Sequence, residues 1–506
     1  MSFWTDARVR AALGLPAEPS AALDYAAVAT DTRTLPAGAL FVALRGERFD
    51  AHEFLAQAVE AGAAAAVVEW VPEGAPEIPY YEVADTLEAL GLLARYYRRH
   101  LSARVLAITG SNGKTTTKEL TRAVLSTRYR VHATTGNLNN LVGAPLTVLA
   151  APADTEVLVV ELGTNAPGEV ARLAAVVEAD AAIVTSIAEE HLEGLGDLEG
   201  VLREETSILA ALPASGFAVV GDEPRMLPEA ARAMARRVRV AGWSEEADAE
   251  LRADDVRIDE EGRVRFRWQA RDVTLGIPAR HNARNALLAL GVGMEWGVEP
   301  DAAVAALEGV RAGRMRGELH RYGELMVLSD CYNANPGSLR AAVDTLTSLP
   351  RRGGRVAVLG SMLELGPGAA ALHREAAQAV AAADVDLIVA TGEFVAAFEP
   401  LAERLGGRLI RAADAPSAFG PLAERLRGDE VVLLKGSRGV ALERLLPLLE
   451  SRWGTPGPAG DAAGPGQHEH PSRGRDAAPP SGRSSALSSW VESSRRGGSA
   501  APGTGE

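Results

Sequence analysis

The sequence predicts an α/β protein of three domains: a small N-terminal α/β substrate domain, a central parallel-sheet ATPase domain with a P-loop, and a C-terminal, Rossmann-like doubly wound domain. Three observations carry this expectation. The 506 residues, 47% of them hydrophobic, suffice for several separate cores. Short apolar strands alternate with helical stretches along most of the chain. One of those strands runs directly into a glycine-rich string that opens a helix, the context of a phosphate cradle.

In chain order, residues 1–102 pair strands such as Leu40 to Leu44 with an alanine-rich helical stretch from Phe54 to Gly62. From Arg104 the pattern becomes strand, glycine loop and helix, the helix reaching about Ser126. Buried-looking strands follow at Val157 to Leu162 and Ala181 to Ile187, each with a helix beyond it, so residues 103–312 read as a largely parallel sheet with helical crossovers. Residues 313–453 repeat the rhythm with LMVLSD, RVAVLG, DLIVA and VVLLK, a second doubly wound sheet. From Gly454 to Glu506 the composition collapses into Gly, Pro, Ser, Ala and Arg, which is expected to stay disordered.

Composition narrows the function. A net charge of −15 argues against a surface that coats nucleic acid, so any anionic ligand must be captured locally. No apolar run is long enough to span a bilayer and the start lacks the marks of a signal peptide, so a cytoplasmic protein without membrane insertion is expected. The single cysteine, Cys331, reads as a small buried side chain. Of 52 basic residues only Lys114, Lys118 and Lys435 are lysine, which marks these three as candidates for chemistry where a compact ammonium is needed.

The string Gly110, Ser111, Asn112, Gly113, Lys114, Thr115, Thr116 supplies what a nucleotide phosphate requires. Glycines let backbone N–H groups converge, the helix N-terminus adds favourable potential, Lys114 neutralises β/γ charge and Thr115 offers a hydroxyl to Mg²⁺. Glu161 ends a strand at the edge where ligands of parallel sheets gather, and His191 follows the next strand into the same layer. Together they are expected to hold magnesium.

With these residues in view, the sequence resembles the Mur ligases over about Leu23 to Leu448. The resemblance rests on the loop, then TTGNLNNLVGAP from Thr134, ELGTNAPGE from Glu161, HLEGLG from His191, HNARN from His281, GRM from Gly313, DCYNANP from Asp330 and KGSRG from Lys435. It implies an ATP- and Mg²⁺-dependent amide ligase working through an acyl phosphate. ELGTN with PGE, and D-x-YNANP, look like the member that adds D-alanyl-D-alanine to a UDP-N-acetylmuramoyl-tripeptide in peptidoglycan precursor synthesis. The same resemblance assigns Thr32, Arg33, Asp50 and His52 to the uridine diphosphate end, and Thr134, Asn137 and Asn139 to the substrate face of the central domain. It puts Asn282 and Asn285 toward the adenine and makes Arg314 and Asp330 nucleotide contacts. Tyr332, Asn333, Asn335, Lys435, Ser437 and Arg438 then complete the closed site. A monomer is expected. The competing expectations are a relative that adds a single amino acid, and a P-loop ATPase that ligates nothing.

One position departs from the resemblance. Where family members commonly carry a carbamylated lysine after the HLE string, this chain has Glu205, and no lysine lies between Lys118 and Lys435. Glu205 is expected to replace the carbamate as a ligand of the second Mg²⁺, directly or through water. The alternative is that Glu204 and Glu205 are solvated acids on an exposed helix face.

Overall fold

A computed structural model describes residues 2–18, 23–46, 49–243 and 249–454. The expectation of a disordered tail falls, apart from Gly454, outside the described residues.

The N-terminal unit is built on four parallel strands in the order Val28–Ala29, Leu40–Val42, Ala65–Val68 and Tyr80–Glu82. Helix Thr86–His100 follows, started by Asp85, whose carboxylate accepts from the Leu87 and Glu88 amides at 2.7 and 2.9 Å. Its apolar stripe, Leu90, Leu93, Ala94 and Tyr97, enters the same core as the central sheet. Arg98 ties its end to Asp180 and to the Val177 carbonyl, each at 3.0 Å.

The central sheet has seven parallel strands, ordered Val131–Ala133, Val157–Glu161, Arg104–Thr109, Ala181–Val184, Phe217–Gly221, Val238–Gly242 and Leu251–Arg252. Because side chains alternate along a strand, Val105, Ala107, Leu158 and Val160 fill one core while Leu106, Ile108, Val157 and Val159 fill the other. A three-stranded antiparallel sheet, Asp254–Ile258, Val264–Trp268 and Arg271–Leu275, buries Phe266 and Trp268 beside the second core. The period-two alternation in VRFRW marks such a strand, and this antiparallel sheet is an addition to the largely parallel unit expected over residues 103–312.

The C-terminal sheet runs Glu318–Tyr322, Leu325–Asp330, Val431–Lys435, Arg355–Leu359, Leu387–Ala390 and Leu409–Arg411; only its first strand is antiparallel. Leu328, Ala357, Ile388 and Leu433 face one core, and Val327, Val356, Val389 and Val432 the other, so helices cover both faces. The register sets Asp330 beside Lys435, at the carboxyl edge that faces the central domain.

Helix Leu198–Ala210 gives a first correction. Its buried residues include Val201, Glu204, Glu205 and Ile208, the i, i+3, i+4, i+7 spacing of an inward stripe, so neither glutamate is a solvated acid. Glu204 accepts from the Gly168 and Val170 amides, both at 2.7 Å, at the start of helix Glu169–Val177, and from the Thr164 hydroxyl at 3.2 Å. Glu204→Ala leaves the fully buried Val170 amide without its acceptor, while the Thr164 hydroxyl keeps the Ala166 carbonyl and Gly168 is open to solvent. The substitution is expected to destabilise the protein by about 3 kcal/mol, seen as a lower melting temperature, with turnover of the folded fraction near wild type.

Candidate active site

The glycine loop leaves strand Arg104–Thr109 and turns into helix Lys114–Ser126. Gly110 and Gly113 have φ of +118° and +86°, and the space around them is already taken. A Cβ on Gly110 would lie 2.7 Å from the Thr185 backbone nitrogen, and one on Gly113 2.7 Å from Asn285 Oδ1. The neighbouring strand and helix His281–Glu295 thus press the loop into shape from two sides.

Lys114 Nζ curls back to the Gly110 carbonyl and lies 3.7 Å from Glu190 Oε1. Burial opposes its charge, but Glu190, Glu205 and Glu161 outweigh that and hold its pKa above the usual lysine value. Thr115 Oγ1 donates to Glu161 Oε1 at 3.0 Å, and Asn139 Nδ2 donates to the same oxygen at 2.9 Å. Thr134 accepts from the Glu161 amide at 3.0 Å, while its carbonyl takes the buried Lys118 Nζ at 2.6 Å. Lys118 therefore holds the segment at Thr134 in place, and neither residue lines the cleft described below.

His191 has a left-handed backbone, φ 52°, which aims its ring across the domain boundary. Its Nδ1 is 2.6 Å from Glu364 Oε2 of the C-terminal domain and its Nε2 is 4.0 Å from Glu190 Oε2. Burial lowers the imidazole pKa, but Glu364 and Glu190 more than offset it, leaving it above the ordinary histidine value.

A cleft of about 870 Å³ joins the central and C-terminal domains. Ser111, Asn112, Gly113, Lys114, Thr115 and Thr116 line it, as do Asn137, Asn139, Glu161 and His191. So do Asn282, Asn285, Asp330, Tyr332, Asn333, Lys435, Ser437 and Arg438. From the far wall Lys435 Nζ, 2% exposed as a side chain, meets Asp330 at 3.0 Å and the Asn333 carbonyl at 2.5 Å. Asn335 lies behind this wall, its Nδ2 donating to Asn112 Oδ1 at 3.0 Å, so the two domains touch at the loop itself. His281 also faces the cleft, and burial pushes its imidazole down to about 4.

Several expected residues lie elsewhere. Arg314 is exposed and does not line the cleft. Arg316 does, its guanidinium 3.7 Å from the centre of the Tyr332 ring. The buried Met315, φ 58°, sits between the two arginines in the turn that separates them. Glu205 also differs from expectation. It does not line the cleft but lies under the loop, where Oε2 accepts from the Gly110 amide at 2.9 Å and from the Thr109 hydroxyl. Burial raises its carboxyl pKa, Lys114 opposes that and Glu190 adds to it, leaving the group above the carboxylate range.

Thr32, Arg33, Asp50 and His52 form no part of this cleft. Arg33 is half exposed and paired with Asp31, its Nε 2.8 Å from Oδ1. His52 has both nitrogens occupied, Nδ1 with Asp50 at 2.6 Å and Nε2 accepting from the Glu69 amide at 2.9 Å. A ring so used, and stacked on Trp70 at 4.1 Å, organises its loop and has no nitrogen left for a ligand.

Glu190 was missed from sequence. It is 3% exposed, faces the cleft, and its Oε1 has no hydrogen-bond partner among the described residues. Glu161 Oε2 and Glu205 Oε1 are orphaned in the same way. Glu161 and Glu190 face the cleft beside the Lys114 ammonium, each with one buried oxygen lacking a donor, and such oxygens suit a hard divalent cation held against phosphate; among the described residues no group of three or more His, Cys, Asp or Glu side chains forms a metal cage by itself.

A phosphate loop, buried acids and a second domain that brings a lysine and an arginine to the opposite wall define an ATP-dependent carboxylate–amine ligase. Three family models match in succession: Mur ligase family, catalytic domain, over residues 24–98; Mur ligase middle domain over 108–293; and Mur ligase, glutamate ligase domain, over 313–438. The UDP-N-acetylmuramoyl-tripeptide–D-alanyl-D-alanine ligase of Bacillus subtilis is 38% identical over 434 residues, covering 84% of this chain and 93% of that protein. The Escherichia coli enzyme of the same name is 37% identical, with the same coverage. Among solved structures, MurF from Acinetobacter baumannii superposes with a TM-score of 0.79 at 30% identity, covering 88% of this chain and 99% of that one. MurF from Thermotoga maritima, in complex with ADP, gives 0.75 at 26% identity over 84% and 97%. The chain belongs to the Mur ligase family, in the branch of the UDP-N-acetylmuramoyl-tripeptide–D-alanyl-D-alanine ligases.

Proposed function

We propose that this chain joins D-alanyl-D-alanine to the terminal carboxylate of a UDP-N-acetylmuramoyl-tripeptide, using ATP. The observation that carries the reading is the single cleft in which the phosphate loop of one domain faces Asp330, Lys435 and Arg438 of the next. The ATP phosphates lie on the loop amides, with Lys114 against the β/γ oxygens and Asn282 and Asn285 toward the base. The tripeptide carboxylate attacks the γ-phosphorus, releasing ADP and leaving an acyl phosphate. The dipeptide amine then adds to the carbonyl carbon, loses a proton, and phosphate departs as the amide forms.

Thr115 and Glu161 would hold one Mg²⁺, and Glu190 with His191 a second. Magnesium bound there supplies positive charge to phosphate oxygens that become more negative during transfer. Glu205 acts one layer back, fixing the Gly110 amide that the phosphate meets. Asn137, Asn139, Tyr332, Asn333, Ser437 and Arg438 shape the substrate end of the cleft. Thr32, Arg33 and Asp50 take the uridine diphosphate, in a monomer working in the cytoplasm. Closing the C-terminal domain excludes the water that would hydrolyse the acyl phosphate.

Phosphate release measured against a panel of UDP-muramoyl tripeptides, each with and without D-alanyl-D-alanine, tests this reading. Release is expected only with both partners present. Release that ignores the amine, or prefers a single amino acid to the dipeptide, would sink it.

A further inference from the structure

His191 and Glu364 are 173 residues apart and belong to different domains, yet their side chains meet at 2.6 Å. From this we infer that Glu364 is a positioning residue, delivered by the C-terminal domain, which fixes His191 with Nε2 turned toward the cation and so makes cation affinity depend on domain closure. The inference rests on the proposal that His191 holds a metal.

The geometry supports it from both sides of the gap. With Nδ1 donating to a carboxylate, the imidazole proton is placed and Nε2 keeps its lone pair on the cleft side, where Glu190 Oε2 lies 4.0 Å away. A histidine that ligates a metal commonly donates its other ring N–H to a carboxylate or carbonyl, which sets both its tautomer and its orientation.

The loop that carries Glu364 is built to hold one position. The Met362 amide donates to His373 Nε2 at 2.9 Å and the Leu363 amide to Ser437 Oγ at 2.9 Å. Glu364 itself has φ of +64°, a left-handed conformation uncommon for a residue with a side chain. Two residues on, Gly366 packs against the backbone of Leu192 and Glu193, immediately after the histidine. Ser437 thus serves the site at one remove, by anchoring the loop that aims Glu364.

Mn²⁺ binding to the full-length enzyme in the presence of ADP, followed by electron paramagnetic resonance, tests the inference without using turnover. Glu364→Ala is expected to weaken Mn²⁺ affinity roughly tenfold. Glu364→Gln, whose amide oxygen can still accept from Nδ1–H, should stay within about threefold of wild type. His191→Ala is the reference. If it leaves Mn²⁺ affinity unchanged, the metal reading of His191 fails and this inference with it. If His191→Ala weakens binding but Glu364→Ala does not, the positioning role alone is overturned. A Gln variant as weak as the Ala variant would also overturn it, because charge and not orientation would then be what the cation senses.

Discussion

Lys114→Arg is expected to lower ligation by about three orders of magnitude while the protein keeps its fold. The ammonium sits at the start of its helix in a socket made by the Gly110 and Ser111 carbonyls of the preceding loop, with Glu190 Oε1 3.7 Å away. A guanidinium is planar and broader, and its charge is spread over three nitrogens. It cannot place one donor at the phosphate while leaving the loop closed over it. Phosphate release in the presence of tripeptide and dipeptide measures the loss, and a melting temperature within a few degrees of wild type separates it from misfolding. Arginine retaining a tenth or more of the activity would remove Lys114 from the chemistry.

The loop was legible because its signals are local: strand, glycines, lysine and helix follow one another within 23 residues, Arg104–Ser126. Glu161 was legible for a related reason, since a carboxylate at the end of a parallel strand reaches the edge where the loop lies. What stayed hidden depended on partners distant in sequence. Arg314 and Arg316 look equivalent in GRMR; only the turn at Met315 decides which one enters the cleft. Glu190 adjoins His191 and could have been taken with it, but only the fold shows that its oxygen lacks a donor. Glu364 belongs to another domain, and nothing near it points to a histidine 173 residues earlier. The burial of Glu204 and Glu205 was readable. Val201, Glu204, Glu205 and Ile208 make a helical stripe whose spacing turns both acids inward.

That stripe changes what Glu205→Ala is expected to do. As a direct magnesium ligand, Glu205 would on removal raise the metal requirement. As the acceptor of the Gly110 amide and the Thr109 hydroxyl, it instead leaves the buried Gly110 amide unpaired at the base of the loop, while the Thr109 hydroxyl keeps the Leu162 carbonyl at 3.1 Å. An unpaired buried donor costs about 1–3 kcal/mol, so turnover should fall roughly 10- to 100-fold with a higher KM for ATP, while half-saturation by Mg²⁺ barely moves. Glu205→Gln keeps an acceptor oxygen for both donors and should recover most of the loss. Wild-type activity should ignore added bicarbonate, because no lysine is present between Lys118 and Lys435 to be carbamylated. Glu205→Lys buries an ammonium near Lys114 and sets donor against donor at the Gly110 amide, so it should be nearly inactive. Carbamylation would return a carboxylate to that place, and bicarbonate should then restore part of the ATP affinity along with the turnover. If Glu205→Ala shifts the Mg²⁺ requirement and leaves the KM for ATP alone, Glu205 is a metal ligand after all, and its contact with the loop is incidental.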